Sequence, residues 1–262
     1  MINDKYLSSD YIGTAREYIE EEIGGVPAMF IQGFCGNIHN YYMFGKPHHA
    51  RITGSRFGEA AVLGLRSVIP VRCEPVDYLW RTIELPCRPM YTKEELNEAI
   101  QIRNEYMEEL KYYEDAVWVA GINLPEFFTA EEKISSIKVQ MEYLKEGLRI
   151  IGAGEIPRSS LEITLGVLRI GDMAAVLSPG ENFAATGRDI RSKSPFIHTL
   201  ICGDTNGLFG YIGNDEEIDR GGYETDTYWK MLYIDGFRLA LAKGSSKHII
   251  ETSLELLRLI SA

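Results

Sequence analysis

The sequence predicts an α/β fold, a mixed central β-sheet flanked by helices. Three observations carry the prediction. Stretches with apolar residues three and four apart alternate with short runs that are either continuously apolar or strictly alternating, which are the helix and strand periods. Loops rich in Gly, Asn and Asp mark the change from one period to the other. The 262 residues are 45% hydrophobic and 25% charged, the balance of a chain that buries a sizeable core and not of a disordered one.

The elements follow in order. Ser8-Ser9-Asp10 supplies capping oxygens for a first helix on which Ile12, Ala15, Tyr18, Ile19 and Ile23 share a face, and Gly24-Gly25 stops it. Residues 26–31 are a short apolar run, expected as a buried strand, and lead into a polar loop at 32–40 and a second helix near 55–69. Residues 76–85 alternate as a strand. Residues 93–113 and 130–148 carry Glu/Lys pairs at helical spacing, with a break at Gly121-Ile122-Asn123-Leu124-Pro125. The whole of residues 1–262 is read as one domain, with 92–148 as a helical layer over the sheet. Two strands from Leu161 to Leu177 turn at Gly171-Asp172 as a hairpin. A helix at 182–191, a strand at 197–202 and helices near 226–242 and 247–259 complete the chain.

Charge and cysteine usage narrow the function. The 27 basic and 38 acidic side chains leave a net charge of −11, which repels phosphate backbones and anionic head groups and argues against nucleic acid and membrane surfaces as partners. No window approaches the roughly 20 apolar residues of a membrane span, and the first residues do not lead into a signal-peptide core. The chain as given is therefore expected in the cytoplasm, with export of a longer form left open. Cys35, Cys73, Cys87 and Cys202 are scattered without paired spacing and read as free thiols in a reducing compartment.

Three polar loops follow apolar runs, at residues 33–40, 179–181 and 203–224. Loops at the carboxyl ends of strands are where open α/β sheets gather their ligand sites, although each loop taken singly also reads as an ordinary turn. Glu181 follows Pro179-Gly180 at the end of a buried strand, where desolvation raises a carboxylate's pKa unless a metal or cation balances it. Tyr211 and Tyr223 flank an acidic stretch, Asn214-Asp215-Glu216-Glu217, and read as packing residues with a hydroxyl handle. The five histidines show no HxH, HxxxH or HExxH spacing, so a zinc site built from this chain alone would be poor. Cys35 lacks an identifiable base and reads weakly as a nucleophile.

Taken together, five short motifs resemble the neutral/alkaline (non-lysosomal) ceramidase family, zinc-dependent amidases that cleave the N-acyl bond of ceramide, a sphingolipid. They run in the family's order: Ser8-Ser9-Asp10-Tyr11-Ile12-Gly13, Phe30-Ile31-Gln32-Gly33-Phe34-Cys35-Gly36-Asn37-Ile38, Leu177-Ser178-Pro179-Gly180-Glu181, Asn206-Gly207-Leu208-Phe209-Gly210-Tyr211-Ile212 and Gly221-Gly222-Tyr223-Glu224. The resemblance implies the C-terminal part of the catalytic domain, hence an incomplete one. It implies that Glu181 and Tyr211 are two zinc ligands and that Tyr223 hydrogen-bonds the developing oxyanion. It implies Gly36 and Asn37 as substrate-binding residues of a small-molecule or lipid amide. The family's remaining ligands are histidines in a segment preceding the Ser-Asp-Tyr helix, so that segment is expected either on a complementing N-terminal chain or in a part lost by truncation or a misplaced start codon, and the isolated chain is expected to be inactive. Where ceramidases have a serine this chain has His39, followed by Asn40 in place of proline. His39 is thus a candidate base or donor. Two alternatives stand beside this reading: a non-catalytic binding module of the same fold, and a hydrolase of a non-sphingolipid substrate.

Overall fold

The computed structural model describes residues 7–41, 46–112 and 128–262. The Gly121–Pro125 break and the end of the helix expected at 93–113 lie outside the described residues. The chain opens with α1 (Asp10–Glu22) and α2 (Pro47–Gly64), which pack on one another with Gly54 and Gly58 against Tyr11, Thr14 and Tyr18. Ser9 makes no side-chain cap on α1; instead the Ser8 hydroxyl accepts from the Asp10 amide at 3.0 Å.

The expected buried strand at 26–31 does not form. The segment has no sheet partner, Met29 is 84% exposed, and Phe30 makes an edge contact with Phe57 of α2 at 6.3 Å. An apolar run is a strand only where a neighbour offers a ladder, and among the described residues the backbone contact made here is a single one just past the run, the Gly203 amide on the Gln32 carbonyl at 2.9 Å.

The main sheet has four strands. The first, β1 (Val76–Pro86), is followed by two helices, α3 (Lys93–Glu109) and α4 (Ala130–Ala153). Each helix starts at a reciprocal capping box, Thr92 with Glu95 and Thr129 with Glu132, which satisfies two otherwise orphaned amides. Next come β2 (Ser160–Ile170) and β3 (Met173–Leu177), joined at Gly171-Asp172. Two-residue β4 (Glu181–Asn182) precedes α5 (Ala184–Lys193) and β5 (His198–Cys202). The order is β1-β2-β3-β5, antiparallel except for the parallel β3–β5 pair, so the sheet is mixed. Two-residue β6 (Tyr211–Ile212) pairs in parallel with β4 as a separate ribbon.

One face of the sheet is the core. Leu85, Leu165, Val167 and Val176 are fully buried beneath Ile190 of α5 and Ile249 and Leu257 of α9 (Ser245–Ser261). Each such side chain contributes about 1.5–3 kcal/mol by leaving water. The opposite face carries a row that crosses all four strands in register, Tyr78, Leu168, Ala175 and Leu200, with Trp80 stacked on Tyr78. Trp80 is 64% exposed and Leu200 46%. This apolar face is uncovered among the described residues.

A second expectation needs correcting. After the short helices α6 (Asp215–Arg220) and α7 (Tyr223–Asp226), the helix expected at 226–242 is replaced by a 3₁₀ turn at Tyr228–Met231 and the single turn α8 (Leu232–Asp235). After Gly236, residues 237–242 run extended, held by the Arg88 amide on the Ala240 carbonyl (2.7 Å) and the Ala242 amide on the Pro86 carbonyl (2.8 Å). Pairing with the end of β1 overrides the apolar spacing that suggested a helix. The helices α3 and α4 pack through Leu96 and Tyr143 with Trp229 and Phe237. Among the described residues no helix is long and apolar enough to cross a membrane.

Candidate active site

The site is assembled from the three polar loops, which the structure ties together by their backbones. The Gly36 amide donates to the Asn182 carbonyl (2.9 Å) and the Gly203 amide to the Gln32 carbonyl (2.9 Å). The loop after β3 and the loop after β5 are laced by Ser178 to Cys202 (3.0 Å), Thr205 to Ser178 (3.1 Å) and Asp204 to Gly180 (3.2 Å). Within the turn, the buried Asn182 side chain donates from Nδ2 to Ser178 Oγ at 3.0 Å and to the Pro179 carbonyl at 3.2 Å. Burial makes these bonds costly to lose, so the turn is rigid.

Gly180 has φ +74°, and a Cβ there would lie 2.8 Å from the Gly210 carbonyl. Only glycine meets both demands. That tight passage sets Glu181 at the start of β4, directly paired with Tyr211 at the start of β6, with the Glu181 amide donating to the Gly210 carbonyl at 2.9 Å. The Tyr211 hydroxyl lies near enough to the Glu181 carboxyl to favour its charged form. Tyr223, on α7, brings its ring edge-on to Tyr211 with centroids 6.0 Å apart. It is held there because the Asp226 carboxylate accepts from the Gly222 amide (2.8 Å) and pairs with Arg88 (3.2 Å).

Glu181, Tyr211 and Tyr223 line one cavity of about 250 Å³, with Glu224, Lys230 and Arg238 also in its wall. Burial raises the Glu181 pKa above the ordinary carboxylate range, and nearby Asp204 raises it further, while Lys230 and the Tyr211 hydroxyl oppose the shift. Burial, then the Glu181 charge and Tyr223, hold the Tyr211 phenol protonated well beyond neutrality.

The other sequence candidates fall at differing distances from this cavity. Gly36 packs beneath Glu181, where a Cβ would come within 2.3 Å of the Glu181 carbonyl oxygen. Asn37 caps α5 from outside, its Oδ1 accepting from the Ala184 amide at 3.0 Å. His39 is exposed and is not in the wall of the cavity. The Cys35 Sγ lies 3.9 Å from an Asp204 carboxylate oxygen, and burial together with Asp204 and Glu181 pushes its pKa up to about 11, the wrong direction for a thiolate nucleophile. Lys230 and Asp204 were not singled out by the sequence. The only signal for Asp204 is its place in the loop after β5, and Lys230 has none.

The Glu181 carboxylate and the Tyr211 phenol offer hard oxygen donors of a kind zinc accepts. Among the described residues, however, no group of three His, Cys, Asp or Glu stands together to hold a metal ion. Zinc takes four ligands, three from protein in catalytic sites. These residues therefore fit half of a centre.

Polar loops gathered at the strand ends of an α/β sheet, around an acid and two phenols, have the layout of a ligand site. Comparison with solved structures identifies the particular fold. The neutral ceramidase from Pseudomonas aeruginosa superposes with a TM-score of 0.57 at 16% identity, covering 99% of this chain and 42% of that one. A ceramidase complexed with C2 superposes with a TM-score of 0.58 at 13% identity, covering 98% of this chain and 43% of that one. The chain thus has the fold of part of a neutral ceramidase, a ceramidase-like hydrolase fold, and spans less than half the length of these structures. No family model matches the sequence, and no curated protein matches it.

Proposed function

We propose that the chain forms one half of the active site of a zinc-dependent amidohydrolase that cleaves the N-acyl bond of a lipid-like amide. The observation that carries this reading is the meeting of Glu181, Tyr211 and Tyr223 in one cavity, on a fold shared with neutral ceramidase. Glu181 and Tyr211 would hold the metal, with the remaining donors coming from polypeptide beyond this sequence. The chemistry supplied by a bound zinc is acidification of a water for attack on the amide carbonyl.

The chain's own residues do the rest. A cation beside Glu181 removes the cost of its burial next to Asp204 and keeps the carboxylate ionised. The Tyr223 phenol would donate to the carbonyl oxygen as negative charge gathers there, an interaction strongest in the transition state. Asn182, Gly180 and the Gly36 loop hold the donors without rearrangement. The exposed row of Tyr78, Leu168, Ala175 and Leu200 suits the docking of an apolar sheet face, and the loops bearing Glu181 and Asp204 leave the same sheet from β3 and β5. His39 in place of a serine favours an amide other than ceramide.

One observation favours a second reading, a binding module without metal: Lys230 already lies close enough to Glu181 to offset part of the cost of its burial. Activity separates the two. The tagged chain, purified from its own cells with whatever accompanies it, is assayed on fluorogenic N-acyl amides with added zinc. The amidase reading expects hydrolysis that chelation abolishes and that Glu181→Gln or Tyr223→Phe lowers by about 100-fold or more. No hydrolysis, or hydrolysis indifferent to chelation and to both substitutions, would overturn it.

A further inference from the structure

We propose that Lys230 is the positioning residue of Tyr223: its ammonium donates to the phenol oxygen, so the phenol's own proton is left to point into the cavity at an acceptor. The inference rests on the reading of Tyr223 as an oxyanion donor and adds the group that makes it one.

The geometry is specific. Lys230 Nζ hydrogen-bonds the Tyr223 hydroxyl and stands 4.2 Å from the centroid of the same ring. It also stands 5.5 Å from the ring centroid of Trp229, which is buried. The Tyr223 and Trp229 rings thus lie beside the ammonium where it meets the phenol oxygen, surroundings favourable for a cation. The 3₁₀ turn at Tyr228–Met231 fixes the backbone, with the Lys230 amide donating to the Thr227 carbonyl at 3.0 Å.

The consequence is chemical. An ammonium has three donors and no acceptor, while a phenol has one donor and accepting lone pairs. The contact can run only from Lys230 to Tyr223, so it never consumes the Tyr223 proton. Donation into the oxygen polarises the remaining O–H bond and strengthens the bond it can give, the cooperative behaviour of hydrogen-bond chains. A phenol without such a partner is free to turn its hydroxyl to the nearest acceptor, and Glu181 and Glu224 share this cavity. Held by Lys230, the hydroxyl is kept for the substrate.

The test reads the contact first, without turnover. In the chain labelled with ¹³Cζ-tyrosine, the Tyr223 resonance is assigned by its loss in Tyr223→Phe. Lys230→Met should move that resonance and Lys230→Arg should leave it near its original position, with circular dichroism unchanged in both. A Tyr223 resonance unmoved by Lys230→Met overturns the proposal whatever the enzyme does. In the purified complex hydrolysing an N-acyl amide, Lys230→Met should then lower kcat by about 10-fold or more with KM within about 2-fold, and Lys230→Arg should recover most of it. In a Tyr223→Phe background the same substitution should cost nothing further, because the lysine acts through the phenol. A loss that persists undiminished in that background would mean that Lys230 serves Glu181 instead, and would overturn the proposal. Absence of hydrolysis by the unaltered complex counts against the amidase reading, while the Tyr223 resonance still decides the contact.

Discussion

Cys35 and Asp204 face each other near Glu181, and the thiol is the residue whose behaviour is easiest to read. Its raised pKa of about 11 means that the neutral thiol is favoured in the fold and thiolate appears only as pH climbs through that value. At pH 8 the thiolate fraction falls about 100-fold below that of an ordinary thiol, partly offset by the greater nucleophilicity of a more basic sulfur, so alkylation should be about 10-fold slower. Asp204→Asn removes one of the charges that raise it and should speed the reaction; an iodoacetamide rate profile against pH, read at Cys35 by mass spectrometry, checks both. Glu181, Tyr211 and Tyr223 were legible in the sequence because each follows a glycine in a loop rich in turn residues, and because their motifs come in a recognisable order. Lys230 was hidden. A lysine in a stretch with helical spacing reads as a solvated side chain, and its contact with Tyr223 depends on a turn that the spacing does not announce.

At the scale of elements, the β4–β6 ribbon is what turns a sheet into a site. Two residues from each strand suffice, since the Gly180 passage and the Asn182 side chain lock the turn on one side and the Gly210 carbonyl receives Glu181 on the other. Gly180→Ala forces a Cβ onto that carbonyl in a left-handed conformation and should cost about 1–3 kcal/mol in a denaturant titration. It should also displace Glu181 and lower any metal affinity of the chain. The hairpin of β2 and β3, the strand β5 and the terminal helix α9 were legible because their apolar periods are strong and their turns explicit. The segment at 26–31 and the stretch at 226–242 were not. Both are apolar enough for a regular element, but their fate depends on whether a neighbouring backbone is present to pair, and periodicity carries no information about neighbours.

At the largest scale, the dominant feature is a sheet with one buried face and one left open among the described residues. Tyr78 and Trp80 on β1 and Leu200 on β5 form an apolar surface of the kind that marks an interaction site. The isolated chain should therefore associate reversibly as its concentration rises, and Trp80→Lys should shift sedimentation velocity profiles toward monomer without loss of secondary structure. A monomer at every concentration would show the face to be tolerated in water. The same incompleteness recurs at the cavity, where a carboxylate and a phenol offer two donors to an ion that takes four. The measurement that bears on this most directly is anomalous diffraction at the zinc edge from crystals of the chain together with the polypeptide that co-purifies with it. The account predicts a zinc peak with Glu181 and Tyr211 among its ligands and Tyr223 in the same cavity. A zinc bound elsewhere, with the space between Glu181 and Tyr211 empty, would contradict it.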